Sequence, residues 1–437
     1  MSRLTALRQK LSGGVAGELI VTFLLRFGAA GTSFAFNWLV ARSFGPTGTG
    51  LWAAALTTIV LLSAVSLMGL DTVVVRTIAK ARVDADHATI KAAIWQVVRS
   101  AAVMAGLLSL ILALFHDPIS RLWVKSGAAS PYFAIAALTV PILAMTRLAS
   151  ATLRPLGKVA LSQLSEGPLS TGLAAVALAA AWAAGLNGWA LLPAVLYTAG
   201  LAIACTFAWR SLWKIIGTWP VGNPTPMRAA GLAVFGAQVS VYFVEWFATL
   251  VLARMGSASE AGIFRVVFQI GSLFSMVMMA GEAVTGPHIA AALRRNDIAK
   301  VARLARKTSL ALTSASLPLV LGIFLFPEFL LGLFGPGFSE GALALKIIAV
   351  AHIANISTGP VSNILLMSGR ERLTLIYGLG GAGVSAILSA LLIPQWGTTG
   401  AAIAVASGII FRRMAASIIV YRTTGIGLFG RPVRNVG

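Results

Sequence analysis

Residues 44–80 read FGPTGTGLWAAALTTIVLLSAVSLMGLDTVVVRTIAK. A turn rich in glycine and proline leads into an apolar run over 50–72 whose one charge is Asp71. At 1.5 Å per residue that run makes about 35 Å of helix, enough to cross a hydrocarbon core of roughly 30 Å. Arg76 and Lys80 follow at its far end. A turn on one side and cations on the other is the pattern of one membrane span and its two flanks.

The rest of the chain repeats the pattern. Of 437 residues, 58% are hydrophobic and 11% charged, against about 45–50% and 25% in an ordinary globular domain. Apolar runs long enough to span lie at about 18–41, 50–72, 93–115, 132–152, 161–184, 189–209, 229–253, 260–284, 308–333, 341–367, 373–393 and 399–421. The expectation is an all-α integral membrane protein with twelve transmembrane helices. Short connectors such as LNGW, TWPVGNPTP and IPQWGTTG separate the runs.

Charge placement orients the spans. Taking the N-terminus as cytoplasmic, inner segments hold 25 of the 34 Lys and Arg residues and outer loops hold four: Arg42, Arg121, Lys125 and Arg254. Cations collect on the cytoplasmic side, so both termini are predicted there. The net charge of +21 therefore belongs to the membrane surface, and no nucleic-acid partner is expected. The basic run LRRNDIAKVARLARK (293–307) carries an apolar stripe of Ile298, Val301 and Leu304, which predicts an interfacial helix on anionic lipid. Leu4, Leu7 and Leu11 among Arg3, Arg8 and Lys10 predict another. No apolar core precedes Leu19, so no cleaved signal peptide is expected. The single cysteine, Cys205, has no partner in the chain, and the four histidines have no metal-ligand spacing. No metal, cofactor or catalytic triad is expected.

Shifted by 212 residues, the chain matches itself at loop edges. Ala41-Arg42 meets Ala253-Arg254, Gly50 meets Gly262, Gly69 meets Gly281, and Gly185 and Gly188 meet Gly397 and Gly400. At 211, Phe115 and Asp117 meet Phe326 and Glu328. Six spans per repeat insert both halves the same way up, which predicts two parallel six-helix lobes around a central cavity. Their expected bounds are 1–210 and 228–437, with a cytoplasmic linker at 211–227.

The stretch 44–80 resembles the span 1–2 region of the oligosaccharide-lipid (Wzx-type) flippases, members of the multidrug/oligosaccharidyl-lipid/polysaccharide exporter superfamily. SEAGIFRVVFQIGSL (259–273), LLGLFGPGFSEGALALKIIAVAHIANISTGPVSNILLMSGRERL (330–373) and LLIPQWGTTGAAIAVA (391–406) are similar to later parts of the same proteins. The resemblance implies alternating access around a central cavity. It also implies a polyprenyl-pyrophosphate-linked oligosaccharide as cargo, flipped from the cytoplasmic to the periplasmic leaflet of a bacterial inner membrane for lipopolysaccharide or exopolysaccharide synthesis. Membrane lipids, a polysaccharide polymerase and glycosyltransferases are the implied partners, with Na⁺ or H⁺ as candidate coupling ions. A drug or metabolite exporter of the same superfamily, or a non-transporting subunit of a polysaccharide assembly complex, stands as the alternative. An enzyme is not expected, since connectors of at most about twenty residues leave little extramembrane chain to hold two substrates.

Charged residues inside the spans are the site candidates, because a charge at membrane depth needs a wet cavity or a partner. Arg26, Arg147, Arg412 and Arg413 fall in inner halves of spans. They are expected to line the cavity, where guanidinium suits a pyrophosphate headgroup; pairing with Glu18, Glu166 and Glu282 is the structural counterpart. Glu245 and Arg265 lie eleven residues before and nine after Gly256, so antiparallel neighbours bring them to similar depth as an ion pair. Asp71, Arg76 and Glu282 lie near the inner interface, either as helix-end and snorkelling charges or as a cytoplasmic gate.

Overall fold

The protein is described as a computed structural model covering residues 15–186, 188–222, 228–295, 297–367 and 371–425. Within these, residues 15–23, 228–234, 283, 363, 366–367 and 371–372 are described by backbone alone. The N-terminal stretch expected as an interfacial helix, and the side chain of Glu18, lie outside the described residues. What is described is an all-helical membrane protein. It divides into two compact units, one holding the described residues of 1–44, 58–122 and 126–235, the other those of 45–57, 123–125 and 236–437.

The first unit draws on eight helices. These are α1 (Val15–Leu67), α2 (Leu70–Val83), α3 (His87–Leu114), α4 (His116–Val124), α5 (Ser130–Leu153), α6 (Val159–Glu166), α7 (Pro168–Ala183) and α8 (Leu192–Ile216). In the packing order α3, α5, α8, α7, each helix lies against the next. Fully buried alanines at 101, 105, 136, 144, 204 and 208 let the backbones approach closely, as small residues do between membrane helices. At one end, Val74 and Ile78 of α2, Ile94 and Val97 of α3, Leu148 and Leu153 of α5 and Leu212 of α8 form one buried cluster.

Beside that cluster Lys91 is 92% buried. Its ammonium donates to the carbonyls of Gly217 at 2.9 Å and Trp219 at 2.5 Å, tying the chain beyond α8 to α3. Hydrogen bonds from a charged donor contribute about 1.5–3 kcal/mol each to stability. Lys91→Met is therefore expected to lower the thermal unfolding midpoint of the purified protein, because it strands two carbonyls. An unchanged midpoint would contradict that role.

The second unit holds α9 (Arg228–Met255) from residue 236 on, α10 (Ala258–Arg294), α11 (Ile298–Leu325), α12 (Pro327–Gly332), α13 (Ala342–Ser357), α14 (Val361–Met367) and α15 (Glu371–Thr424). Ser257 and Glu260 form a reciprocal capping box at the start of α10. The basic run 293–307 is not a separate interfacial helix. Arg294 ends α10, Asp297 caps α11 by accepting from the Lys300 amide at 2.9 Å, and α11 continues without a break to Leu325. Of the apolar stripe, Val301 is buried among neighbouring helices and Ile298 and Leu304 pack half-buried against the same cluster, while Arg303, Arg306 and Lys307 stay exposed.

Ten stretches among the described residues are long and apolar enough to cross a bilayer, where twelve were expected. The difference lies in α1 and α15, whose apolar stretches Leu24–Leu67 and Leu373–Thr424 run for 44 and 52 residues, about twice the roughly 20 that one crossing needs. Each is bent at a glycine of positive φ, Gly45 (62°) and Gly397 (50°). At Gly45 the next residue is Pro46, whose missing N–H and fixed φ stop one helix and start another. Each stretch is thus two helical segments that meet directly at one bent glycine.

Element order recurs along the chain. Asp86 accepts from the Thr89 amide and caps α3, as Asp297 caps α11. Each of these helices is 28 residues long, and they end at Phe115 and Phe326. A short helix and a 3₁₀ turn follow in both places (Gly127–Ala129 and Phe338–Gly341). At the exposed Asp86 cap, the Thr89 hydroxyl and amide hold the carboxyl below its ordinary range. That contribution to stability is present at neutral pH and is lost only as pH falls through the lowered value.

Candidate functional site

A buried polar cluster lies in the second unit, where α10, α13, α14 and α15 meet. Arg413 of α15 is 94% buried. Its Nε donates to Asn355 Oδ1 of α13, its Nη1 to Ser362 Oγ of α14 at 3.2 Å, and its Nη2 lies 3.2 Å from Met278 Sδ of α10. Asn355 Nδ2 also donates to that sulfur, at 3.4 Å. One turn along α10, Glu282 lies within electrostatic reach of Arg413, and its Oε1 is buried without a hydrogen bond among the described residues. Arg413 is thus held on four helices, with most of its donors committed.

Arg412 differs. It makes no hydrogen bond or ion pair among the described residues, and its electrostatic neighbours are Tyr377, His352 and Arg413. The Tyr377 hydroxyl and His352 Nδ1 are buried and also lack hydrogen-bond partners. His352 is fixed by stacking on Phe274, centroid to centroid 5.5 Å at 11°. A guanidinium, a phenol and an imidazole with unspent hydrogen-bonding capacity therefore lie beside an arginine most of whose donors are committed. The arrangement suits a polar, anionic group, since unpaired buried polar groups are costly and cations prevail.

The other expected residues fall as follows. Arg265 Nη1 donates to Glu245 Oε1, joining α10 to α9 with both side chains largely buried. Arg26 on α1 is exposed and Arg147 on α5 is half-buried, both in the first unit. Glu166, a candidate partner for a cavity arginine, is taken by Arg154, which also donates to Ser162 Oγ at 3.0 Å. Asp71 sits in the first turn of α2, just past the left-handed Met68 and Gly69, where the helix dipole favours a carboxylate. Arg76 is exposed on the same helix.

The Glu245–Arg265 pair yields a direct test. Arg265→Met leaves a carboxylate largely buried and alone, and breaking such a pair costs about 3–5 kcal/mol. The double change Glu245→Leu with Arg265→Met should recover most of the lost stability. A double variant as unstable as the single one would contradict the pairing.

The comparisons with known proteins agree with this architecture. The chain belongs to the polysaccharide biosynthesis protein family, whose pattern matches residues 39–338. It is 27% identical over 165 residues, 37% of its length, to a probable flippase, AglR, of Haloferax volcanii, and covers only 34% of that relative. Its fold matches an inward-facing multidrug resistance MATE family transporter of the MOP superfamily, with a TM-score of 0.75, 16% identity, and 92% and 98% of the two chains covered. It also matches a MOP superfamily transporter from Pyrococcus furiosus, at a TM-score of 0.61, 16% identity, and 93% and 94% coverage; reverse polarity of the binding pocket suggests a different function for that protein. These structural likenesses are of fold.

Proposed function

We propose that this polysaccharide biosynthesis transporter is a flippase that carries a polyprenyl-pyrophosphate-linked oligosaccharide from the cytoplasmic to the outer leaflet of a cell membrane. The observation that carries the proposal is the neighbouring arginines, Arg413 buried and Arg412 half-buried, with the carboxylate Glu282 within electrostatic reach of Arg413. On α15, Arg412 lies twelve residues before Thr424, about 18 Å from that end at 1.5 Å per residue. That depth suits a headgroup drawn from the inner leaflet. Guanidinium binds phosphate oxygens bidentately, and of the two arginines Arg412 has donors to offer.

The fold fits an alternating-access carrier. Counting α1 and α15 as two crossings each, at Gly45 and Gly397, makes twelve, and the recurrence of elements at 211–212 residues supports two parallel lobes of six around a central cavity. We take the lobes to run over 1–210 and 228–437, joined through 211–227, with both termini in the cytoplasm, a reading that the charge of the loops supports. Membership of a polysaccharide biosynthesis family and the likeness to a probable flippase support a glycan-lipid over a drug as cargo. A cationic drug site needs deep carboxylates, and the buried cluster is rich in cations instead.

The test is reconstitution. In vesicles holding the purified chain, a lipid-linked pyrophosphate oligosaccharide is expected to become accessible in the opposite leaflet faster than in empty vesicles. Export of a cationic dye with no movement of the glycan-lipid would reject the proposal.

A further inference from the structure

The first unit carries a second feature, away from the arginine cluster. A partly enclosed cavity of about 950 Å³ lies between the end of α1, the start of α2, the face of α3 and the chain beyond α8. Its size is at the upper end of ligand sites, roughly 300–1,000 Å³. The walls are mostly apolar, with Met68, Leu70 and Val103 among them, and the outermost, Val103, is 72% exposed. On α3, Trp95, Gln96 and Arg99 fall within a turn of each other and all line the cavity.

Two polar features point to the occupant. Arg99 makes no ion pair among the described residues, so the cavity offers one positive charge. Gln96 Oε1 is buried without a hydrogen bond among the described residues, and a buried amide left so is costly unless a partner arrives. One unpaired cation matches the single negative charge of a phosphodiester better than a pyrophosphate. The amide matches a headgroup that carries a hydroxyl or ammonium. Arg99 lies six residues above the inner end of the span expected at 93–115, about 9 Å, within snorkelling reach of inner-leaflet phosphates.

One rim is the backbone of Val221 and Gly222. This stretch is fastened to α3: Gly222 N–H donates to the Ala88 carbonyl at 3.1 Å, and His87 stacks on Trp219 at 4.2 Å. Lys91 holds the residues before it. The cavity is therefore built on a fixed frame, with its apolar side continuing onto the exposed flank of α3.

From this geometry we infer that the cavity binds one glycerophospholipid of the cytoplasmic leaflet. The phosphodiester sits on Arg99, the headgroup donor on Gln96, and an acyl chain runs along Met68, Leu70 and Val103. The lipid then packs against Val221–Gly222 and steadies the linker. This site stands whether or not the chain moves a glycan-lipid.

Native mass spectrometry of the full-length protein tests it, after exhaustive detergent exchange and addition of phosphatidylglycerol. One retained lipid per chain is expected. Arg99→Ala should weaken retention at least tenfold and Gln96→Leu several-fold, while Arg210→Ala, on α8 and outside the cavity, should leave it unchanged. Fluorescence supplies a second reading that needs no charge change: phosphatidylglycerol with brominated chains should quench wild type more than Trp95→Phe. No retained lipid, equal retention by Arg99→Ala and Arg210→Ala, or equal quenching would overturn the site. Displacement of phosphatidylglycerol by the lipid-linked pyrophosphate oligosaccharide at equal concentration would overturn the phospholipid assignment and give the cavity to the cargo.

Discussion

Gly50→Ala and Gly262→Ala are each expected to abolish recovery of folded protein. A Cβ on Gly50 would stand 1.7 Å from the Ala258 carbonyl oxygen and 2.9 Å from Gly262 N. A Cβ on Gly262 would stand 1.9 Å from the Pro46 oxygen and 2.9 Å from Gly50 N. Within the second unit, residues 46–50 and 258–262 thus cross backbone to backbone. The contact is reciprocal, each partner being 212 residues from its counterpart. Overpacking costs about 1–3 kcal/mol where side chains can yield. Here the obstacles are main-chain oxygens on two helices, so the cost is greater, against a total stability of roughly 5–15 kcal/mol. Gly106→Ala is the control: it lies on an exposed face of α3 with no atom within 4 Å of the added methyl. It should be neutral or stabilise by up to about 1 kcal/mol. Size-exclusion profiles and thermal unfolding in detergent read both results. A monodisperse Gly50→Ala protein with an unchanged midpoint would show that the crossing is looser than described.

That crossing also shows what local sequence carries and what it omits. The match of Gly50 to Gly262 is visible as a repeat, because a fixed offset survives at loop edges. That the two glycines touch each other is a tertiary fact with no local signature. The spans follow from apolar length, and the shared depth of Glu245 and Arg265 follows from antiparallel counting across a short turn. The continuity of α1 and α15 does not, since a Gly-Pro or Pro-Gln-Trp-Gly stretch reads as a loop although the helix resumes directly after one bent residue. The basic run 293–307 misled for a related reason. Its stripe signals burial of one face without saying whether lipid or protein covers it, and here protein does. The commitments of Arg413 are to side chains 51, 58 and 135 residues away, so its depth was legible while its partners were not. Lys91 gave no signal at all, because the carbonyls it holds lie 126 and 128 residues distant.

The difference between Arg412 and Arg413 sets the second large effect. Arg413→Ala removes the donors that hold Asn355, Ser362 and Met278 together, so its expected signature is lost stability, about 1.5–3 kcal/mol for each hydrogen bond made by a charged donor. Arg412 holds nothing among the described residues, so Arg412→Ala should keep its expression and melting midpoint. Its expected loss is in translocation, at least tenfold, with Arg412→Lys retaining part because a point charge still attracts phosphate but without the bidentate fork. Charge also sets the driving force. A pyrophosphate with close to two negative charges gains about 2.3 kcal/mol per charge per 100 mV when moved outward across an inside-negative membrane, about 4.6 kcal/mol in all. Glycan-lipid flipping in vesicles should therefore accelerate with an inside-negative potential and slow when the sign is reversed. In Arg412→Ala the rate should fall at every potential while its dependence on potential persists, since the charge moved belongs to the cargo. A fully active Arg412→Ala protein would remove this arginine as headgroup ligand, and a rate indifferent to potential would remove the pyrophosphate as the charge that drives export.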